Sequence, residues 1–406
     1  MEKKIILLWP FGFREYDWKR YELSELEERE NFEVEVHELV NFLIPNFISA
    51  YQKLLINEKV KKFKNFFEWK NYINSQVQEA NKNKKELLIL KHSLNNNLNL
   101  NFLLINREIK KLKLKTLELF GSSHPVMILK KKFDTIYFIR SLYHHLKNTN
   151  ILIFNLKKYF FNLIYLNFYK KSDILLTFNK YIPKKLTHDT TNIIKANSFD
   201  YSMSLKNIKV QKGLKKNSNY ALFLEAPTPL FPGDELIWGG QNEGFTKEKW
   251  FPSLRKYFDD LEKILNLKVV IAPHPKVKHE KRPPYYGGRE ISDLDLADSA
   301  LNSDLIISHW SSGLAFGVIY NKPIMLITSN ELIKNEEFVR QQVLFSKELG
   351  SEIINIDKKI NTKEIKKVLK INTSKYNEYL YNYCTTRTDK KRNYQIISDI
   401  FKNKAI

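Results

Sequence analysis

The chain has 406 residues, of which 43% are hydrophobic, and its 67 Lys and Arg against 45 Asp and Glu give a formal net charge of +22. The length is about twice that of a typical domain, which predicts two domains, and the apolar content excludes global disorder. The charge favours an anionic partner, either nucleic acid, acidic lipid headgroups, or a phosphorylated or carboxylated small molecule. The single cysteine, Cys384, excludes an internal disulfide and indicates a reducing compartment.

The first twelve residues, MEKKIILLWPFG, are predicted to form a strand and not a signal peptide. Trp9-Pro10 interrupts the apolar run, and no small-residue cleavage site follows it. No window approaches the roughly 18 uncharged apolar residues that a membrane-spanning helix needs. We therefore expect a cytoplasmic protein that is either soluble or peripherally bound to the inner face of the cytoplasmic membrane.

The first half of the chain alternates short apolar runs with helical patterns. Strands alternating with helices predict a parallel sheet wound with crossover helices, that is, an N-terminal acceptor-side Rossmann-like domain over residues 1–205. The predicted strands are 4–9, 32–36, 86–91, 116–120 and 173–178, with helices at about 17–30 and 98–113.

A polar, basic linker at 205–219 precedes a second alternation of the same kind, predicted as a C-terminal nucleotide-donor-binding domain over residues 219–373. A helical pattern from 374 to 406 is predicted to pack back toward the N-terminal domain. The fold class is therefore α/β, with two doubly wound domains facing a cleft. The predicted strands are 220–224, 269–272, 305–308 and 324–328, and the helices are 247–265, 293–302 and 312–320.

Two predicted strands of the second domain end in groups suited to binding an anion. "KVVIAPHPKVK" ends at His274-Pro275, and the proline favours an extended backbone at the histidine. "SDLIISHWSSGLAFG" ends at Ser311-Ser312-Gly313, where a serine can cap the following helix and the first amides remain open to a phosphate. Because ligands of doubly wound sheets bind beyond the carboxyl ends of the strands, we expect the two ends to form one phosphate cradle.

Residues 274–328 resemble the C-terminal half of GT-B glycosyltransferases that use CMP-activated acidic sugars, including bacterial sialyl-, polysialyl- and Kdo transferases of capsule and lipopolysaccharide synthesis. The resemblance covers residues 220–330 well and the remainder only in general layout. It implies a GT-B fold, a CMP-linked nonulosonic acid or Kdo donor and a surface glycan acceptor. It also implies that His274 contacts the donor phosphate and assists the leaving group, while the nucleotide is held by Pro275, Lys276, Ser311, Ser312 and Gly313.

Four further residues are predicted to bind substrate. Glu225 lies in "FLEAPTPLFPGDE", which looks like the strand and loop that begin the second domain in capsule-synthesis relatives. Glu243 loosely matches an acidic motif of sialyltransferases, and Arg289 follows the His-Pro pair with several lysines that could bind a sugar carboxylate. Gly12 opens the loop after the first strand.

The same segment resembles two other classes of enzyme. UDP-N-acetylglucosamine 2-epimerases and UDP-dependent GT-B enzymes share the turn but place acidic residues early in the helix after it, where this chain has "GLAFGVIY". CDP-glycerol glycerophosphotransferases share the His-Pro and a D-Y-S-S turn, which corresponds here to His309-Trp310-Ser311-Ser312, although their His-Gly-Thr motif is absent. Polyol phosphate transfer is therefore the second reading, and a UDP-sugar transferase or epimerase the third.

A transferase also needs a base for the acceptor hydroxyl, expected from the first domain across the cleft. Asp17 and Glu15 are the leading candidates, with Glu22 and the His124 of "GSSHP" as further ones, although acidic residues that start a helix often serve only its dipole. No spacing suggests a metal site or a cofactor, and Asp293-Leu294-Asp295 is interpreted as a helix cap.

Residues 130–171 mix Lys and Arg with Phe, Tyr, Leu and Ile at helical density. Such a helix can lie on an anionic membrane surface, and buried helices with a basic edge give the same pattern equally well. The charge is diffuse, and no helix-turn-helix, zinc module or RNA-recognition signature accompanies it, so nucleic acid is not the expected partner.

Overall fold

A computed structural model describes residues 2–44, 55, 57–92, 100–125, 171–180, 182, 191–210, 219–230, 245–275, 277 and 285–402. Its strands form two sheets, and every strand pair within each sheet is parallel. The predicted α/β class with two doubly wound sheets is confirmed. Within the described part of the chain, no helix is long and apolar enough to cross a membrane.

The first sheet has seven strands in the order β3-β2-β1-β4-β5-β6-β7. The inner strand β1 buries Ile5, Ile6, Leu7 and Leu8 completely, as expected for a parallel sheet covered on both faces. The short strands β3 and β7 lacked a sequence signal long enough to predict them. The strands are β1 Lys3–Trp9, β2 Phe32–Glu38, β3 Val60–Lys62, β4 Glu86–Lys91, β5 Lys115–Phe120, β6 Ile174–Thr177 and β7 Asn192–Lys195.

Among the described residues, six helices belong to the first half of the chain. The predicted helix over 17–30 is in fact two helices, because Glu22 adopts a left-handed backbone with φ of 54° that ends the first and precedes the second. The helices are α1 Glu15–Arg20, α2 Leu23–Glu30, α3 Val40–Leu43, α4 Phe66–Lys82, α5 Leu100–Lys111 and α6 Phe199–Val210.

The second sheet has five strands in the order β12-β11-β10-β8-β9. The strands are β8 Tyr220–Leu224, β9 Lys268–Ala272, β10 Leu305–Ser308, β11 Ile324–Thr328 and β12 Ile353–Asn355. The helices around it are α7 Lys247–Leu265, α8 Leu296–Asn302, α9 Ala315–Ile319, α10 Glu336–Leu349, α11 Thr362–Val368 and α12 Thr373–Tyr379, with short 3-10 turns at Ser312–Leu314 and Leu332–Lys334.

The C-terminal segment returns to the first sheet, as predicted. It is not one helix, because a π-helical turn over Leu380–Cys384 and an extended stretch separate α12 from the last helix, α13, Asn393–Phe401. Ile396 and Phe401 of α13 are buried in the same apolar cluster as β1 and β2, and the Phe401 ring lies 5.0 Å from that of Phe32. The strands of the two sheets span residues 3–195 and 220–355, and the exact domain boundaries stay a prediction.

Candidate active site

The strand ends singled out from the sequence lie side by side in the second sheet. The order β10-β8-β9 makes β8 the common neighbour of the strands that lead to Ser311 and to His274. All three strands are parallel, so their carboxyl ends lie at the same edge. Glu225, the residue directly after β8, therefore sits between the two predicted phosphate-binding positions.

Glu225 fixes the backbone of the His274 turn. Its side chain is only 3% exposed; Oε2 accepts a hydrogen bond of 2.7 Å from the backbone N–H of His274, and Oε1 accepts one of 2.9 Å from the hydroxyl of Tyr286. Its own N–H donates to the carbonyl of Ala272, the last residue of β9. Sequence analysis predicted that Glu225 binds substrate; the geometry instead favours a positioning role, because both carboxylate oxygens already serve protein donors.

The Ser311 turn is held by a local cap. Ser311 has an extended backbone, and its Oγ accepts a hydrogen bond of 3.1 Å from the N–H of Gly313, so the predicted capping by a serine at this turn is confirmed. Ser312 is exposed at the start of the 3-10 turn. A Cβ on Gly313 would lie 3.0 Å from Leu296 and 3.3 Å from Leu224, so glycine allows the turn to pack closely on β8 and α8.

Two predicted nucleotide- or substrate-binding residues, Lys276 and Glu243, lie outside the described residues. Pro275 is exposed directly after His274, which is itself half-buried. The basic aromatic stretch 130–171 is described only at its last residue. Predictions about these positions stay predictions.

Arg289 does not offer a free guanidinium to a substrate. Its Nη2 lies 2.6 Å from Asp259 and 2.8 Å from Glu262, and its side chain is 9% exposed. The guanidinium also lies 5.3 Å from the centre of the Phe258 ring. Two carboxylates and an aromatic face therefore hold Arg289 against α7, which argues against the predicted role in binding a sugar carboxylate.

The two leading candidates for the base, Asp17 and Glu15, each pair with a basic side chain of α1 or of the residue before it. Asp17 is 1% exposed, and its two oxygens accept hydrogen bonds of 2.8 and 2.9 Å from the guanidinium of Arg14. The Glu15 side chain is 70% exposed and pairs with Lys19, one turn further along α1, at 3.0 Å. A base must reach the acceptor hydroxyl, so this geometry favours neither residue. Gly12 is buried, and its carbonyl accepts from the indole of Trp9.

Glu22, the further carboxylate considered, anchors the C-terminal helix. It accepts hydrogen bonds from Ser202 Oγ at 2.7 Å, from the N–H of Tyr394 at 3.0 Å and from Arg392 at 3.0 Å. Burial raises its pKa, against the opposing effect of Arg392. Its role is therefore to join α13 to the first sheet.

His124 connects the carboxyl ends of the two sheets. It follows β5 of the first sheet, yet its ring lies 5.1 Å from Trp310, the neighbour of Ser311, and 4.3 Å from Phe345. Neither ring nitrogen has a hydrogen-bond partner among the described residues, and burial lowers the pKa of His124 to about 3. His124 is thus a neutral imidazole that lies beside the Ser311 turn. Sequence analysis named His124 as a candidate but did not predict this contact.

His309 is a buried site residue whose environment sequence analysis missed. Its ring lies 4.8 Å from Trp250 and 5.6 Å from Phe245, and burial lowers its pKa to about 3. Neither ring nitrogen has a partner in the described part of the structure. The Trp310 ring stacks on Phe338 at 5.5 Å, so His309 and Trp310 together pack the turn against α7 and α10.

The described residues contain no group of three or more His, Cys, Asp or Glu side chains that could hold a metal ion. Asp295 accepts a hydrogen bond of 2.9 Å from the N–H of Asp298 and caps α8, which confirms the cap interpretation of Asp293-Leu294-Asp295.

No protein-family model and no curated protein matches this chain. Solved structures do. A variant of the wall teichoic acid polymerase TagF has a TM-score of 0.52 at 12% identity, covering 99% of this chain and 88% of that one. The UDP-GlcNAc 2-epimerase from Methanocaldococcus jannaschii has a TM-score of 0.50 at 13% identity, covering 99% of this chain and all of the other.

The chain has the GT-B fold. At such low identity the likeness establishes the arrangement of the two sheets and not the reaction. One of the two solved structures is a UDP-GlcNAc 2-epimerase, an alternative class named from the sequence, and the other is a wall teichoic acid polymerase. The resemblance to CMP-sugar transferases therefore stays a prediction.

Proposed function

We propose that this chain is a transferase that moves a group from a cytidine-nucleotide donor to a surface glycan acceptor. The observation that carries the proposal is the position of His274 and Ser311 at the ends of β9 and β10, on either side of Glu225. An imidazole, two hydroxyls and the amides of a tight turn at one sheet edge suit a phosphate-linked donor.

Among cytidine donors, we place transfer of a polyol phosphate from a CDP-activated polyol ahead of transfer of an acidic sugar from CMP. The His-Pro and Ser-Ser pair resembles both classes. An acidic sugar also needs a cation for its carboxylate, and Arg289, the described residue predicted for that role, is paired with Asp259 and Glu262. The fold likeness to the wall teichoic acid polymerase supports the same order.

In the proposed reaction the acceptor oxygen forms a bond to the phosphorus of the transferred polyol phosphate. The bond from that phosphorus to CMP breaks, and CMP leaves with an additional negative charge. The His274 imidazole donates to the phosphate, since its backbone N–H is already used by Glu225. The Ser311 and Ser312 hydroxyls supply further donors. Donors placed before the reaction stabilise the developing charge without reorganising.

The acceptor hydroxyl must lose its proton, and we assign that role to His124. It is neutral, and it lies on the first-sheet side of the contact with Trp310. Burial is the cause of its low pKa, so admission of substrate and water to this contact raises the pKa toward the ordinary value of about 6.5. An imidazole in that range is an effective general base near neutral pH.

A thermal-shift panel of CMP, CDP, UDP and GDP tests the donor class, followed by turnover assays with CDP-glycerol and a CMP-sugar. We expect the largest stabilisation from CMP or CDP and release of CMP from CDP-glycerol. Preferential stabilisation by UDP would instead favour the UDP-sugar transferase or epimerase reading. No stabilisation by any nucleotide would contradict the proposal.

A surface glycan acceptor carried on a lipid requires work at a membrane, and residues 130–171 are proposed to provide that contact on the inner face of the cytoplasmic membrane. Flotation with anionic vesicles at low salt tests this. We expect retention on the vesicles, and a variant with the lysines of 130–132 changed to glutamine should be retained less. Equal recovery in the vesicle-free fraction for both proteins would remove the membrane contact.

A further inference from the structure

We propose a second anion-binding site, separate from the strand-end site, in a crevice between the first sheet's helices and the C-terminal segment. The crevice has a volume of about 150 Å³. Three chain segments line it: the end of α2, the middle of α6 and the turn that leads into α13. Its lining residues are Arg29, Leu205, Lys206, Lys390, Arg392, Tyr394 and Gln395.

The lining carries four cationic side chains and no carboxylate. Arg29, Lys206 and Lys390 are exposed, and in the described residues none of the three forms an ion pair within 4.0 Å. Lys206 acts electrostatically on Asp298, which already accepts a hydrogen bond of 2.8 Å from Asn207. Three like charges at one crevice repel each other, and a bound anion would relieve that repulsion.

The carboxylates near the crevice are occupied elsewhere. Asp389 pairs with Arg387, and Asp399 pairs with Lys391 at 2.7 Å. Glu30 accepts from Lys402 at 2.6 Å. None of these acidic groups lines the crevice, and among the described residues the three exposed cations have no carboxylate within 4.0 Å.

The fourth cation is held rigidly in place. Arg392 donates hydrogen bonds to Glu22 at 3.0 Å and to Glu25 at 2.8 Å, and its guanidinium lies 5.1 Å from the centre of the Tyr394 ring. This wall is therefore fixed before any ligand arrives, whereas the two lysines and Arg29 can adjust to it. A fixed wall reduces the ordering cost of binding.

Size and charge together define the ligand class. The crevice volume of about 150 Å³ is well above the roughly 10–15 Å³ that one water needs on the same measure, so a phosphate group with part of its hydration fits. Several cations around one small volume suit a polyvalent anion more than a single carboxylate. The ligand is therefore a phosphate-bearing group, carried either by a soluble phosphate compound or by an anionic lipid headgroup.

The test uses the full chain and two probes, inorganic pyrophosphate in titration calorimetry and flotation with phosphatidylglycerol-containing vesicles, both in the presence of saturating CMP to fill the strand-end site. The crevice variant is R29Q/K206Q/K390Q. The matched control is K358Q/K359Q/K363Q, which removes the same three charges at exposed positions near β12 and α11 of the second sheet. Neither set includes Arg392, whose loss would detach α13.

We expect the crevice variant to bind at least one probe about tenfold more weakly, while the control stays within about twofold of the natural chain. Weakened pyrophosphate binding identifies a soluble phosphate compound as the ligand, and weakened vesicle retention alone identifies a lipid headgroup. Absence of binding to both probes, or equal weakening in the two variants, would overturn the proposal. The thermal shift with CMP should be the same in all three proteins, which separates this result from the proposed transferase activity.

Discussion

Ionisable side chains have different roles at the carboxyl edges of the two sheets. Beyond the first sheet, buried carboxylates are held by partners from the same part of the chain: Asp17 by Arg14, and Glu38 by the backbone N–H of Phe13 at 2.7 Å. Beyond the second sheet, the exposed edge presents an imidazole and two hydroxyls, and Glu225 turns inward to fix the backbone. The second edge therefore presents an imidazole and hydroxyls close to its surface, and the first uses its ionisable groups for its own loops.

This contrast assigns different roles to the two sheets in the proposed reaction. Catalytic donors must have hydrogen-bonding capacity for the substrate, and the proposed reaction assigns that role to the second edge. The first edge contributes at the contact between the sheets, where His124 and Phe11 approach the second unit and where both His124 nitrogens lack a partner among the described residues. The asymmetry predicts that substitutions at the second edge lower turnover and that most substitutions at the first edge lower stability.

The largest effect is expected for His274→Ala. Loss of a donor to the departing phosphate should lower turnover about 10²–10³-fold, because the developing charge loses one of its preorganised donors. The folded state should be retained, since His274 is half-buried and Glu225 binds its backbone and not its side chain. Steady-state kinetics with the donor that the nucleotide panel selects provides the measurement.

Arg289→Gln is the matched control, because sequence analysis assigned both residues to the site and the Arg289 guanidinium is paired with Asp259 and Glu262. Its turnover per folded molecule should stay within about threefold of the natural chain, while its melting temperature falls. An equal loss of turnover in Arg289→Gln and His274→Ala would contradict the conclusion that His274 acts in the reaction and Arg289 does not.

The second effect is acid sensitivity of the contact between the sheets. His309 and His124 have folded pKa values of about 3, below the ordinary 6.5, so the unfolded chain binds more protons as the pH falls below about 6.5. Their contribution to stability is therefore complete above pH 6.5 and is lost progressively toward pH 3. Each buried histidine should contribute a slope approaching about 1.4 kcal/mol per pH unit between pH 6 and 5.

His309→Phe isolates one of these contributions. Phenylalanine fits a site lined by Phe245 and Trp250 and cannot bind a proton, so the slope of the unfolding free energy between pH 7 and 5 should decrease by the share of one histidine. Urea denaturation at pH 7, 6 and 5 measures it. An unchanged slope would mean that the imidazole of His309 is charged in the folded state or is not buried.

The sequence predicted those parts of the molecule that depend on short-range patterns. The strands of both sheets other than β3, β7 and β12 follow from runs of apolar residues. The turn at Ser311 and the cap at Asp295 follow from side chains within three positions of the groups they bind. The adjacency of β9 and β10 to β8 follows from doubly wound topology. These features account for the donor side of the candidate site.

The remaining parts depend on contacts that no local pattern encodes. The spacing of residues in the sequence does not reveal that Asp17 pairs with Arg14 or that Arg289 pairs with Asp259. The helical pattern breaks at Glu22, whose carboxylate binds Arg392, 370 residues further along the chain, and no local pattern encodes that contact. The position of His124 against Trp310 likewise arises only when the two sheets come together.

The third prediction concerns Asp17→Asn. If the Arg14 pair is structural, the substitution should lower the unfolding free energy by about 1.5–3 kcal/mol, because a buried charge-assisted pair becomes a neutral one, and should leave turnover per folded molecule nearly unchanged. Denaturation and kinetics on the same preparation give both values. A loss of turnover of a hundredfold or more with little loss of stability would support Asp17 as the base. It would contradict the expectation that substitutions at the first edge mainly lower stability.

The smallest effect is expected at the Ser311 turn, where the two serines can be separated. Ser311→Ala removes the cap on the N–H of Gly313 and should lower stability by about 1 kcal/mol, whereas Ser312→Ala removes an exposed hydroxyl and should change it by less than about 0.5 kcal/mol. Both should weaken nucleotide binding in a titration at fixed salt, because each deletes a donor to the phosphate. Weaker binding in Ser311→Ala alone would mean that the cap shapes the turn and that the Ser312 hydroxyl does not contact the ligand. The phosphate contacts of the second edge would then come from the backbone and from His274.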